Sequence, residues 1–131
     1  MEKVSIFPIG NLISIYHDGS IIIYDKDFKI IQKIKEAHIS LIWDAQIKDE
    51  ENFATCSTDN SIKFWKKNEE NLFILKEKIE KAYSVVVKIL YKNNGNLISG
   101  TVDDAIKIWK EVNDKHQYLT TLIHKGGIRS V

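Results

Sequence analysis

The sequence predicts an all-β fold built from repeated units of four antiparallel strands, and three observations carry that prediction. Isoleucine, β-branched and at home in strands, occurs 22 times in 131 residues. Short apolar runs alternate with turn signals such as Asp18-Gly19 and Asp59-Asn60. Three stretches also repeat one another in register: residues 11–25, 52–66 and 96–110. Their turn aspartates, Asp18, Asp59 and Asp103, stand 41 and 44 residues apart. A second echo lies between them, at Ala37-His38, Ala82-Tyr83 and Ile123-His124. A drifting period of this length, filled with strand-like runs, argues against a helical repeat.

The elements follow in order. In the first unit Lys3 to Phe7 reads as the tail of an innermost strand, and Pro8 with Gly10 makes the turn after it. Leu12 to Tyr16 and Ile21 to Tyr24 flank Asp18-Gly19, read as a two-residue tight turn, and Phe28 to Ile34 completes the unit. The second unit runs through Leu41 to Ile47, Phe53 to Ser57, Ile62 to Trp65 and Leu72 to Leu75. Lys66 to Asn71 is a charge run, read as a solvated loop. The third unit takes Val85 to Tyr91, Leu97 to Thr101, Ile106 to Trp109 and Tyr118 to Ile123, with Asp103-Asp104 in its turn. Asp49 to Asn52, Asn93 to Asn96 and Asn113 to Lys115 are polar loops. The whole divides into approximate repeats at residues 4–44, 45–88 and 89–131.

Composition removes several function classes. Nineteen Lys+Arg against 18 Asp+Glu leave a net charge of +1, and Arg129 is the only arginine. That balance makes a nucleic-acid partner unexpected, because phosphate and base recognition draw on basic excess and on guanidinium forks. A lone cysteine, Cys56, allows no internal disulfide and reads as a small buried hydrophobe. His17, His38, His116 and His124 have no metal-ligand spacing, and no cofactor motif is present; Lys125-Gly126-Gly127 reads as a loop. Lys63 and Lys107 are assigned to a solvated sheet face. No apolar run has membrane-spanning length and no secretory signal is visible, so no membrane partner is expected and the expected location is cytoplasmic or nuclear.

At this point the residues resemble the WD-repeat β-propellers, whose pattern is Gly-His, a strand, Ser-x-Asp, a tight turn and an Ile-x-Ile-Trp-Asp run. The second unit is the fullest copy, with Ala37-His38, Thr55-Cys56-Ser57, Asp59 and Ile62-Lys63-Phe64-Trp65. The third keeps Ser99, Thr101, Asp103 and Trp109, with Tyr83 in place of histidine; the first keeps Ser14, Asp18 and Asp25, with Tyr24 in place of tryptophan. The resemblance implies blades of four antiparallel strands, about three of them here. It also implies a hydrogen-bond chain through Trp65, Thr55 or Ser57, His38 and Asp59, with Thr55 the preferred hydroxyl. The chemistry is coherent: an indole N–H only donates, a hydroxyl accepts and passes on, and a neutral imidazole links it to a carboxylate. In such proteins partners dock on the narrow end and the innermost strand, by position His17, Thr58, Val102, Trp43 and Lys88. Trp43 lies outside the motif, and is either an exposed contact or core between blades.

The functional expectation is a non-catalytic scaffold for protein–protein interactions in a multi-subunit complex. The alternative is a propeller region of a larger enzyme or nucleic-acid-associated factor. A hydroxyl, a histidine and an aspartate together raise the question of nucleophilic catalysis, but no nucleophile elbow or oxyanion hole accompanies them. Propellers close with roughly 4–8 blades. Three units therefore imply the remainder of a longer chain, or two chains closing a six-bladed ring as a homodimer.

Overall fold

A computed structural model describes residues 3–80, 85–103 and 105–123. Among them twelve strands form three separate four-stranded antiparallel sheets, each in sequential order. The first sheet holds β1 (Lys3–Ile6), β2 (Leu12–Ile15), β3 (Ile21–Tyr24) and β4 (Ile30–Ile34). The second holds β5 (Ile42–Asp49), β6 (Asn52–Ser57), β7 (Ile62–Lys67) and β8 (Phe73–Ile79). The third holds β9 (Val86–Tyr91), β10 (Leu97–Thr101), β11 (Ala105–Val112) and β12 (Lys115–Ile123). The lysines of the charge run, Lys66 and Lys67, belong to β7 rather than to a loop. Tyr83, Asp104, His124 and the Lys125-Gly126-Gly127 stretch lie outside the described residues.

The turns differ from the two-residue reading, and for one physical reason. Tyr16 N–H donates to Ser20 O while Gly19 N–H donates to Tyr16 O, so three residues, not two, sit between the paired ends. Such loops need a left-handed residue in third place. Gly19 (φ 85°) and Asn60 (φ 65°) supply it, as do Gly10, Asn71 and Gly95 in the equivalent turns. The Asp18, Asp59 and Asn68 side chains each accept from the backbone two residues on, closing their turns. A two-residue turn with both residues left-handed does occur, at Asn113 and Asp114, where a longer polar loop was expected.

The turn between β3 and β4 breaks the pattern. Its left-handed position is held by Phe28 (φ 67°), 74% exposed. A bulky side chain there brings Cβ against the following carbonyl. Phe28→Asn is expected to raise the unfolding free energy by about 1 kcal/mol, read as a higher urea midpoint with an unchanged slope.

Two apolar clusters cover the two faces of the second sheet. On one face Phe53, Trp65, Phe73 and Ala45 meet Phe7, Ile13, Ile15, Ile21 and Ile23 of the first sheet. Phe53 and Phe73 pack edge to face at 4.8 Å, and Phe7 stacks on Phe73 at 5.4 Å. On the other face Ala54, Cys56, Ile62 and Phe64 meet Val86, Ile89, Leu97 and Trp109 of the third sheet. Cys56 is fully buried, and burial pushes its thiol well above the usual range. Lys63 is not on a solvated face. It shares the face of Trp65, two residues on, and its Nζ donates to Ala37 O at 2.6 Å. Lys107 likewise lies over the Tyr118 ring, 5.5 Å from its centroid, and reaches Thr121 Oγ1. The apolar pattern at Ile62 and Phe64 marked only one of the two covered faces.

Candidate functional site

The innermost strands β1, β5 and β9 lie side by side, and the turns carrying Asp18, Asp59 and Asp103 gather at one end. Backbone bonds fix that end: His38 N–H donates to Gly19 O, Thr58 N–H to Leu41 O and Val102 N–H to Val85 O. A Cβ at Gly19 would fall 2.0 Å from His38 O, so only glycine lets the connector approach the turn this closely.

The second sheet carries a continuous hydrogen-bond chain. Trp65 Nε1–H donates to Thr55 Oγ1 at 3.0 Å, and Thr55 Oγ1 lies 2.7 Å from His38 Nε2. His38 Nδ1 lies 3.0 Å from both Asp59 Oδ2 and Ser61 Oγ, and Ser61 Oγ donates to Asp59 Oδ1. Thr55 and His38 are fully buried. The donors sort in one way: the indole fills Thr55's acceptor site, the threonine proton goes to Nε2, and Nδ1–H serves Asp59. That order requires a neutral imidazole. Burial is the largest influence on His38 and lowers its pKa, against the opposing pull of Asp59. Burial acts the other way on Asp59, but hydrogen bonds from His38 and Ser61 outweigh it and hold the carboxyl far below the usual range. Ser57 stands outside the chain; its Oγ donates to Ser40 O and accepts from Asp59 N–H.

The other two sheets make partial versions. In the third, Trp109 Nε1–H donates to the buried Ser99 Oγ at 2.9 Å, and Thr101 Oγ1 donates to Asp103 Oδ1. Ala105 stands where Ser61 does, so the Thr101 hydroxyl takes over the turn carboxylate. In the first, Ser20 N–H and Oγ both bind Asp18 Oδ1 and lower its pKa. Ser14 Oγ donates to Tyr16 Oη, which lies 3.5 Å from Tyr24 Oη.

Trp43 is 39% exposed and its indole N–H donates to Thr58 Oγ1 at 2.9 Å. It is the extra residue of a β-bulge, since Ile42 pairs with Ser57 and Asp44 with Cys56. A bulge re-aims a side chain, and here it turns the indole off the blade face toward the turn end. By the same register Val87, not Lys88, is Trp43's counterpart in β9; Lys88 pairs with Gly100 and so matches Asp44. His17, Thr58 and Val102 are all exposed at this end, and Lys88 is half-buried.

Asp44 was missed by sequence reasoning. It is buried, accepts from Lys3 Nζ at 2.6 Å and Ala45 N–H at 2.9 Å through Oδ1, and from Ile89 N–H at 3.0 Å through Oδ2. One carboxylate thus ties the innermost strands of all three sheets together. Two positive positions in the same register, Lys3 and Lys88, flank it, a signal visible only once the bulges are counted. Among the described residues no group of three or more His, Cys, Asp or Glu could hold a metal, and no helix is long and apolar enough to cross a membrane.

Comparison with known proteins fits this geometry. The family model "WD domain, G-beta repeat" matches residues 29–66, the stretch that holds His38, Thr55, Asp59 and Trp65. That stretch matches one WD repeat, and the three sheets have the fold of propeller blades. The WD40 β-propeller domain of Doa1 superposes with a TM-score of 0.79 at 20% identity, covering 95% of this chain and 40% of that one. The computationally designed Ika8 protein superposes with a TM-score of 0.72 at 20% identity, covering 95% and 37%. Both likenesses concern the fold. No curated protein matches the sequence. The chain spans about two fifths of the length of the Doa1 domain it matches.

Proposed function

We propose that this WD-repeat chain is a non-catalytic scaffold that binds a protein partner at its turn end, with Trp43 as the anchor, within a multi-subunit complex. The observation that carries the reading is Trp43 itself. A bulge presents it, a threonine hydroxyl fixes its ring, and it stays exposed. A rigid, half-exposed indole of this kind is the usual centre of a binding hot spot. Ile39 (88%) and Val102 (63%) are exposed as well and add apolar area to the turn end. Against catalysis stands the burial of Thr55 and His38, which keeps the hydroxyl and the imidazole of this set away from solvent. The blades complete a ring with the remainder of a longer chain or with a second copy.

Trp43→Ala is expected to weaken partner binding about thirty-fold, about 2 kcal/mol on the hot-spot scale, while moving the urea midpoint little. The check is capture of partners by the wild-type chain, then titration of each with Trp43→Ala and Phe28→Asn. Partners that bind Trp43→Ala as tightly as the wild type refute the assignment.

A further inference from the structure

The second sheet sets two like charges against each other. Lys63 of β7 pairs with Lys78 of β8, and residues paired across an antiparallel ladder project from the same face, here the face of Trp65. Like charges directly opposite destabilise a sheet. The other two sheets avoid this, with Ile22 opposite Lys33 and Lys107 opposite Thr121 at the same position. Burial, and after it the Lys78 charge, lower the pKa of Lys63. Lys63 uses one of its three N–H donors on Ala37 O at 2.6 Å. Lys78 meets Glu80 at 3.2 Å, but the two side chains are 40% and 72% exposed. A pair so open to water is weakly held.

The two lysines open onto a cleft of about 310 Å3, lined also by Ile39, Asp59, Ser61 and Glu80. Asp59 attracts Lys63 across it, yet both carboxylate oxygens are committed within the turn. Oδ1 accepts from Ser61 N–H and Oγ, and Oδ2 accepts from Ile39 N–H and faces His38 Nδ1. Ile39 is 88% exposed and gives the cleft an apolar lip. Thr58, whose hydroxyl holds the Trp43 indole, directly precedes Asp59. The cleft and the Trp43 surface therefore share one turn.

We propose that this cleft binds a phosphate monoester, carried as a phosphorylated side chain on the partner that docks at Trp43; the identity of the carrier rests on the reading given above, the phosphate site does not. A phosphorylated side chain brings a charge of about −1.5 to −2 at pH 7 and three acceptor oxygens. That answers two ammoniums, where a carboxylate brings a single charge. Lys78 leaves Glu80 for a phosphate oxygen, and Lys63 donates a second hydrogen bond while keeping Ala37 O.

Amide chemical-shift titration of the 131-residue chain at fixed ionic strength tests this. The probes are N-acetyl-O-phosphoserine amide, inorganic phosphate, adenosine monophosphate and N-acetyl-aspartate amide. The phosphoserine probe is expected to move the Ile39 and Ser61 resonances and to bind about ten-fold more tightly than the aspartate probe. Lys78→Gln is expected to weaken it about ten-fold with unchanged circular dichroism. Glu80→Gln, which releases Lys78, shifts affinity the other way. Trp43→Ala leaves the titration unchanged, so failure of the Trp43 surface and failure of the cleft are separate results. No movement with the phosphoserine probe, equal binding of the aspartate probe, or indifference to both Lys78→Gln and Glu80→Gln overturns the phosphate site. Tighter binding of adenosine monophosphate or inorganic phosphate than of the phosphoserine probe assigns the cleft to a free phosphate and overturns the protein-borne source.

Discussion

Asp44→Ala is expected to lower the unfolding free energy by about 3 kcal/mol, the scale for breaking a buried charge pair by removing one partner. Lys3 is partly exposed and can turn its ammonium to water, so its loss is the smaller part. Ile89 N–H is buried against the carboxylate and has no solvent to turn to. Asp44→Asn tests the account, because an amide oxygen accepts from one neighbour while its NH2 confronts the other donor. An intermediate loss is expected there, about half that of alanine. Urea unfolding of both variants decides it. If asparagine and alanine cost the same small amount, the carboxylate does not clasp the three innermost strands.

Thr55→Val should be the second large loss, about 2–4 kcal/mol, since it leaves both the Trp65 indole N–H and His38 Nε2 buried without a partner. Thr55→Ser keeps the hydroxyl and removes only a methyl, and is expected to cost about 1 kcal/mol. Equal losses for the two would assign the site to packing. The chain also has a definite pH signature. Because burial lowers the folded-state pKa of His38 below the unfolded value of ~6.5, the unfolded chain takes its proton first. This contribution to stability is therefore complete above about pH 6.5 and is lost as pH falls from there toward the folded value. Asp59, held low by His38 and Ser61, adds a second loss only below about pH 4. A urea midpoint that does not fall between pH 7.5 and 5.5, or that falls equally in His38→Gln, would contradict the neutral-imidazole assignment.

Most of the strand order was legible because the motif repeats in register: Leu97 to Thr101 gains meaning from Phe53 to Ser57. Thr55 was the preferred hydroxyl, and its bonds to Trp65 and His38 follow from where the register places it, across from Lys63 and two pairs from Trp65 on the same face. What escaped the sequence depended on bulges and on loop closure. Alternation assigns Lys63 to a wet face only if one face is apolar, and the second sheet is covered on both. Trp43 and Asp44 look equivalent to any strand neighbours until one extra residue in β5 sends the indole outward and the carboxylate inward. The turn reading failed by one residue for a related reason: Asp-Gly and Asp-Asn fit two-residue and three-residue hairpins alike, and the backbone pairing of Tyr16 with Ser20 makes the choice.

The two apolar clusters on either face of the second sheet also bear on cooperativity. Among the described residues the two clusters join the first sheet to the second and the second to the third, so their free energy is close to a sum of three intrinsic parts and two couplings. The intrinsic part of a lone four-stranded sheet is small, which places most of the stability in the couplings. The middle sheet takes part in both, and a lesion there, at Phe53 or Phe64, weakens one coupling while leaving the other whole. The array then separates into a folded pair and a frayed single sheet instead of unfolding as one. All-or-none melting in this protein is thus a property of its joints, and it lasts only while the two joints remain matched in strength.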